Sequence, residues 1–142
     1  MEDWVLQQAA AAVGTIVLGV FSGLYSGLVV SRASRFNTCI REAERPLKGV
    51  EGMQEGRLVF ISDVKADLTA MTLAADDLAA DGHVEACIAV RGAKAKAERA
   101  IEDGRQGRSS WEGLEEALTE VRREIRKQRP KRWAIYSPWS TP

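Results

Sequence analysis

The chain has 142 residues, equal numbers of basic and acidic side chains, and only two cysteines, Cys39 and Cys87. This length leaves room for one small domain beyond a membrane segment, and two cysteines exclude a disulfide framework and fit a reducing compartment. The neutral total hides four zones of alternating charge, which are −2 over residues 1–30, +3 over 31–50, −7 over 51–120 and +6 over 121–142.

An uncharged stretch extends from Trp4 to Ser31. Its strongly apolar part, residues 9–30, is long enough as a helix to cover about 33 Å, which crosses the hydrocarbon core of a bilayer. Because a spanning segment must satisfy its own backbone hydrogen bonds, this stretch is predicted to be a transmembrane helix. A secretory signal peptide would begin with basic residues and have a shorter apolar core, so an uncleaved anchor is favoured.

The charges on the two sides of the anchor predict its orientation. Glu2 and Asp3 precede it, and the basic residues that follow it are Arg32, Arg35, Arg41, Arg45 and Lys48. Because cytoplasmic flanks are enriched in Lys and Arg, residues 1–8 are predicted to lie outside the cell (inner) membrane. The C-terminal domain of this single-pass protein is then cytoplasmic.

Small residues recur at every fourth position along the anchor, at Ala11, Thr15, Gly19, Gly23, Gly27 and Ser31. Residues four apart share a helix face, and small side chains let two helix backbones approach closely. The pattern therefore predicts association with another copy or with a different membrane protein. It resembles the glycine-zipper pattern of oligomeric membrane proteins, some of which form pores, and this resemblance covers only the anchor.

The rest of the chain predicts an all-α fold. The anchor helix is expected to continue to residue 45 and to end at Pro46, and glycines make residues 46–56 a linker. Three apolar stripes then predict an antiparallel bundle of about three helices over residues 57–129, with no strand. The stripes are Ile61, Val64, Leu68, Met71, Ala75 and Leu78; then Val84, Cys87, Ile88, Arg91, Ala95 and Ile101; then Trp111, Leu114, Leu118, Val121 and Ile125. Ser109 and Glu112 form a capping box before the last helix.

Residues 130–142 form a basic and aromatic tail. Its candidate interaction residues, with the arginine before it, are Arg129, Lys131, Arg132, Trp133, Tyr136 and Trp139. This mixture suits packing against the acidic bundle of the same or a neighbouring subunit, contact with membrane lipid, or binding of nucleic acid. Packing is the favoured interpretation, and nucleic acid is the least favoured.

The sequence contains no motif for catalysis. His83 and Cys87 are spaced for a shared metal, but a zinc site needs four ligands in a recognisable pattern. Neither a nucleophile elbow nor a phosphate-binding loop is present. We therefore expect a non-enzymatic protein without metal or cofactor, which oligomerises through its anchor and presents the bundle to other subunits of a membrane complex. The alternative is an oligomeric pore-forming or membrane-depolarising effector that the cytoplasmic domain gates.

Overall fold

The computed structural model describes residues 2–50, 52–55, 58–61 and 65–137, and the side chains of residues 8, 12–50 and 68–137. The elements, in chain order, are α1 (Glu2–Lys48), β1 (Gly52–Glu55), β2 (Leu58–Ile61), α2 (Lys65–Ala80), α3 (Val84–Arg105), α4 (Trp111–Arg126) and α5 (Arg132–Tyr136). The protein is thus helical, with one long apolar N-terminal helix followed by a helical bundle. The predicted fold class is confirmed.

The two parts of helix α1 lie in different environments. Its side chains from residue 12 to residue 28 are exposed. The helix, over Ala12–Lys48, is long and apolar enough to cross a membrane, a criterion that a signal sequence near the N-terminus also meets. From Phe36 onward one face is buried, and its core residues are Phe36, Cys39, Ala43 and Leu47. The helix continues past Pro46 to Lys48, so the end predicted before Pro46 is wrong. A proline this close to the C-terminus removes one helical hydrogen bond without disrupting a following turn.

Two short strands lie within the predicted linker and the predicted start of the second helix. They pair antiparallel, with Cα partners Gly52–Ile61, Met53–Phe60, Gln54–Val59 and Glu55–Leu58. The prediction of no strand is therefore wrong, and α2 begins at Lys65 rather than at residue 57. The second strand consists of Leu, Val, Phe and Ile, which favour a strand, but four residues are too few to distinguish its periodicity from that of a helix.

The bundle packs against one face of the second half of α1. Helix α2 packs between α1 and α3, and α4 packs against α3 and α1. The stripe predicted for the second helix is confirmed from Leu68 onward, since Leu68, Met71, Ala75 and Leu78 are buried, whereas Ile61 lies in β2 and Val64 lies outside the described residues. The stripe predicted for α4 is confirmed by the buried residues Leu114, Leu118, Val121 and Ile125, with Trp111 partly buried against the core. These faces close one continuous core with the buried face of α1.

The face predicted for α3 is largely wrong. Its buried residues are Ala86, Cys87, Val90, Ala93, Ala97, Ile101 and Gly104, whereas Val84 and Ile88 are 54% and 65% exposed. Arg91 and Ala95, which the prediction also placed on this face, are exposed. Helix α3 contacts α2 and α4 at once, and small side chains allow both neighbours to approach closely. A face rich in small residues therefore enters the core, while Val84 and Ile88 remain outside it.

Glycines in the left-handed region end two of the helices. After α2, Gly82 has φ of +81°, and the N–H of His83 donates to the carbonyl of Leu78 at 2.8 Å. Gly107 occupies the same position after α3, with φ of +68°. This arrangement satisfies carbonyls at a helix end and favours glycine because an L side chain is strained at positive φ. The first of these turns brings His83 beside α1.

The N-cap of α4 lies one residue later than predicted. The N-cap is Ser110 rather than Ser109, and its hydroxyl accepts a hydrogen bond from the N–H of Gly113 at 3.2 Å. Glu112 is in the first turn, where a carboxylate is favoured by the positive end of the helix dipole.

A buried carboxylate joins α1 to α4. Glu44 is only 5% exposed, and its oxygens contact the guanidinium of Arg126 on α4 and the ammonium of Lys48, the latter at 3.7 Å. Removing a partner from a buried charge leaves part of its desolvation uncompensated. We expect Arg126→Ala to lower the free energy of unfolding by about 1–3 kcal/mol, measured by chemical denaturation of the purified chain in detergent.

Arg123→Ala is the matched control for Arg126→Ala, because Arg123 is an exposed arginine on the same helix. It is expected to change the free energy of unfolding by less than about 0.5 kcal/mol. Equal effects of the two substitutions would show that the Glu44–Arg126 contact does not stabilise the bundle.

Candidate functional site

The row of small residues in the anchor is open within the chain. A Cβ atom added at Gly19, Gly23 or Gly27 would meet no atom within 4 Å outside its own local helix backbone. Thr15 and Ser31 lie on the same row and are exposed, whereas the side chain of Ala11 lies outside the described residues. This part of α1 therefore presents a surface that no other described element covers.

The geometry of an α-helix limits how much of this row can face a second helix, and the central positions are favoured. Each step of four residues advances about 40° around a helix of 3.6 residues per turn, so the row winds slowly around α1. Two helices that cross at a right-handed angle follow such a row over a limited length. Gly19, Gly23 and Gly27 are the positions at which a second backbone would approach most closely.

The basic residues after the anchor do not form one uniform patch. Arg35 forms an ion pair with Asp81 in the turn after α2, at 2.9 Å. Arg32 donates hydrogen bonds to backbone carbonyls of the C-terminal segment, while Arg41 is exposed. Arg32 and Arg35 thus connect the end of the anchor to the tail and to the bundle, whereas Arg41 does not.

Helix α5 carries the tail back along α1. Arg32 Nη1 donates to the carbonyl of Ser137 at 2.5 Å and to that of Ala134 at 3.4 Å, and Tyr25 Oη donates to the carbonyl of Tyr136 at 2.7 Å. These donors satisfy carbonyls at the end of α5 that have no partner within the helix. The tail therefore packs within its own subunit against the end of the anchor.

The described tail residues divide between a buried and an exposed side. Ala134 and Ile135 are buried, whereas Trp133 is 68% and Tyr136 is 53% exposed. Arg129, Lys131 and Arg132 are also exposed, and Trp139 lies outside the described residues. The predicted tail residues that the structure describes thus lie in or just before one short helix, and their side chains are exposed.

His83 connects the tail to the bundle. Its Nδ1 accepts a hydrogen bond from the backbone N–H of Lys131 at 3.2 Å, and its ring meets Phe36 edge-on with centroids 4.7 Å apart. His83 is 4% exposed. Burial lowers the pKa of its imidazole, the charge of Lys131 lowers it further, and the carboxylate of Asp81 opposes both effects. His83 therefore favours the neutral form in the folded protein.

The lowered pKa of His83 predicts a loss of stability in mild acid. Because the unfolded chain takes up this proton more readily than the folded chain, the free energy of unfolding falls as the pH drops below about 6.5 toward the lower folded pKa. Protonation also removes the Nδ1 lone pair that accepts from Lys131. Thermal unfolding from pH 7.5 to 5.0 measures the effect.

His83→Asn is the control for this pH dependence, because asparagine has an accepting oxygen but does not titrate. The difference in melting temperature between wild type and His83→Asn is expected to change in this pH range, while the carboxylates contribute equally to both. Parallel pH profiles would contradict the assignment to His83.

The described part of the chain offers little for catalysis. It contains no group of three or more His, Cys, Asp or Glu side chains that could hold a metal. Both cysteines are buried free thiols, and burial, reinforced by Asp77 and Asp81, raises the pKa of Cys39. A cleft of about 250 Å³ between α2 and α3 has the Lys94–Glu98 ion pair at its side. These features do not assemble an activated nucleophile with a base.

The contacts of Tyr25 and His83 with the tail were not predicted from the sequence. Tyr25 is the only hydroxyl-bearing aromatic residue in the anchor, and its position near the C-terminal end of the apolar stretch was a usable signal for an interfacial contact. His83 had no comparable signal, because its partner is a backbone N–H far along the chain.

Comparison with known protein families, curated proteins and solved structures finds no match for this chain.

Proposed function

We propose that this protein is a non-enzymatic, single-pass membrane protein that self-associates through α1 and presents its bundle for assembly with other subunits. The proposed contact is the glycine row, which consists of Gly19, Gly23 and Gly27 on one face of α1. The open surface at Gly19, Gly23 and Gly27 is the observation that carries this proposal. In a bilayer, close packing of backbones replaces the hydrophobic drive that is absent between apolar helices. A second copy of α1 supplies a complementary small-residue row.

The proposed arrangement places the bundle in the cytoplasm and residues 1–8 outside the cell (inner) membrane. Basic residues follow the anchor, and acidic residues precede it. A single-pass helix with this charge asymmetry leaves the acidic bundle on the cytoplasmic side. Protease digestion of sealed inverted vesicles tests the orientation, because the bundle should be digested from the cytoplasmic face.

The bundle has exposed apolar side chains through which it could bind other bundles or other subunits. Val84 and Ile88 lie one turn apart on α3, and Leu73 on α2 is 62% exposed. Association in the membrane raises the local concentration of these faces and favours further contacts between bundles or with other subunits. The anchor therefore drives assembly, and the bundle selects what is assembled.

Disulfide cross-linking in membranes tests the proposed interface. In a chain with Cys39 and Cys87 replaced by alanine, Ser26→Cys introduces a nearly isosteric thiol about 60° around the helix from Gly23. Oxidation is expected to join this variant into dimers, because the thiols of two associated copies lie beside the contact.

Phe21→Cys is the matched control, since it lies about 160° from Gly23 on the same helix. Its thiol is expected to cross-link at least fivefold more slowly than that of Ser26→Cys. Equal rates would contradict association through the glycine row and would indicate random collision in the membrane.

An oligomeric pore is the second candidate, because the hydroxyls of Ser22 and Ser26 are exposed beside the glycine row. A pore requires a polar lining, and this part of α1 is otherwise mainly apolar, so the scaffold has the stronger support. Induced expression would collapse the membrane potential if the helices formed a pore. An unchanged potential at high expression would contradict this second candidate.

A further inference from the structure

The tail runs from the bundle toward the predicted bilayer. Near its start, the backbone N–H of Lys131 donates to His83 at the level of Phe36, and the carbonyl of Tyr136 accepts from Tyr25 Oη. Tyr25 lies five residues inside the cytoplasmic end of the apolar segment 9–30, which corresponds to about 7.5 Å along the helix. The end of α5 therefore lies beside the part of α1 where a membrane boundary is expected.

The exposed side of α5 has the composition of a membrane interface. Trp133 and Tyr136 are three residues apart and exposed, while Ala134 and Ile135 hold the other side of the helix against the bundle. Tryptophan and tyrosine are enriched where hydrocarbon meets headgroups, because their rings are apolar and their N–H and O–H groups need polar partners.

The charge around α5 is complementary to anionic lipid. Arg129, Lys131 and Arg132 are exposed, and the sequence contains no acidic residue after Glu124. At the same end of the bundle, Asp81 is paired with Arg35, whereas Glu85 is exposed. The rest of the bundle is acidic and is repelled by an anionic surface, so this basic end is the one that a membrane attracts.

We propose that α5 is an interfacial helix whose exposed aromatic and basic side chains contact the anionic headgroups of the bilayer that α1 spans. The contacts of Tyr25 and Arg32 hold it at that depth. The tail thus fixes the bundle against the membrane at a second point, and it limits rotation of the bundle about α1. Continuity with the anchor favours lipid over nucleic acid as the partner of these residues.

Tryptophan fluorescence of the full chain in lipid nanodiscs tests the proposal. Replacing Trp4, Trp111 and Trp139 with phenylalanine leaves Trp133 as the only tryptophan. The nanodiscs contain phosphatidylcholine with or without phosphatidylglycerol, together with lipid that carries a nitroxide near its headgroup. We expect this lipid to quench Trp133 and phosphatidylglycerol to strengthen the quenching.

The control retains Trp111 alone, at the start of α4 and at the other end of the bundle from α5. Nitroxide lipid is expected to quench Trp133 at least threefold more than Trp111. Replacing Arg129, Lys131 and Arg132 with glutamine should abolish the effect of phosphatidylglycerol while circular dichroism remains unchanged.

Three results would overturn the proposal. The first is quenching of Trp133 by aqueous iodide but not by nitroxide lipid. The second is a Trp133 emission that depends on the number of copies per nanodisc and not on the lipid, which would assign the surface to a neighbouring subunit. The third is a response to added single-stranded RNA with no response to lipid, which would assign it to nucleic acid.

Discussion

Replacing Gly19, Gly23 and Gly27 together with leucine is expected to abolish the proposed self-association and to leave monomers in detergent. Leucine side chains at these open positions would hold the two backbones apart, and dispersion attraction declines over fractions of an ångström. We expect the dissociation constant, measured by sedimentation equilibrium in density-matched detergent, to rise at least about a hundredfold, or about 2.8 kcal/mol.

Single substitutions provide a stricter comparison than the triple variant. Gly14 is as open within the chain as Gly23, but nine residues place it about 180° away around the helix. Gly23→Leu should weaken association by at least about tenfold, or about 1.4 kcal/mol, while Gly14→Leu should leave it unchanged. If both variants associate like wild type, the glycine row is not the interface.

Shortening Leu78 to alanine is expected to destabilise the bundle strongly. Leu78 is fully buried on α2, which packs between α1 and α3, and its carbonyl also accepts the hydrogen bond that closes the turn at His83. Loss of a buried leucine side chain leaves a cavity and costs about 2–5 kcal/mol. In a domain of this size we expect the melting temperature to fall by roughly 8 °C or more.

Leu73→Ala is the matched control for Leu78→Ala, because it removes the same atoms from the same helix at a position that is 62% exposed. It should lower the melting temperature by only about 2–4 °C, corresponding to about 0.5 kcal/mol. Melting is followed by circular dichroism of the full chain in mild detergent. A similar loss at both positions would contradict the assigned orientation of α2.

The sequence was most informative where periodicity coincided with large apolar side chains. Leu114, Leu118, Val121 and Ile125 repeat at helical spacing and are all buried, so α4 was predicted with its correct face. Helix α3 was predicted with a largely wrong face because its core side is built mainly from small residues, among them Ala86, Ala93 and Ala97. Alanine has little transfer free energy of its own, and only the proximity of two neighbouring helices makes it favourable there.

The strand pair and the tail were harder to predict because their determinants are nonlocal. Two strands of four residues give too short a pattern, and their pairing depends on the register between them. The tail was expected to pack against the acidic bundle, whereas its described partners Tyr25 and Arg32 lie on α1, more than a hundred residues away in the chain. The composition of the tail indicated which kinds of partner it could bind, whereas only the fold shows where its described residues lie.

The most direct measurement of self-association is the mass of the particle extracted from its membrane with surrounding lipid retained. Native mass spectrometry of the wild-type chain is expected to give a multiple of the 15.6 kDa chain mass, with two or more copies in each particle. Copurifying subunits would add their own mass to the particle, which would still contain two or more copies of this chain. A particle with one copy, alone or bound to a different membrane protein, would contradict self-association through the glycine row.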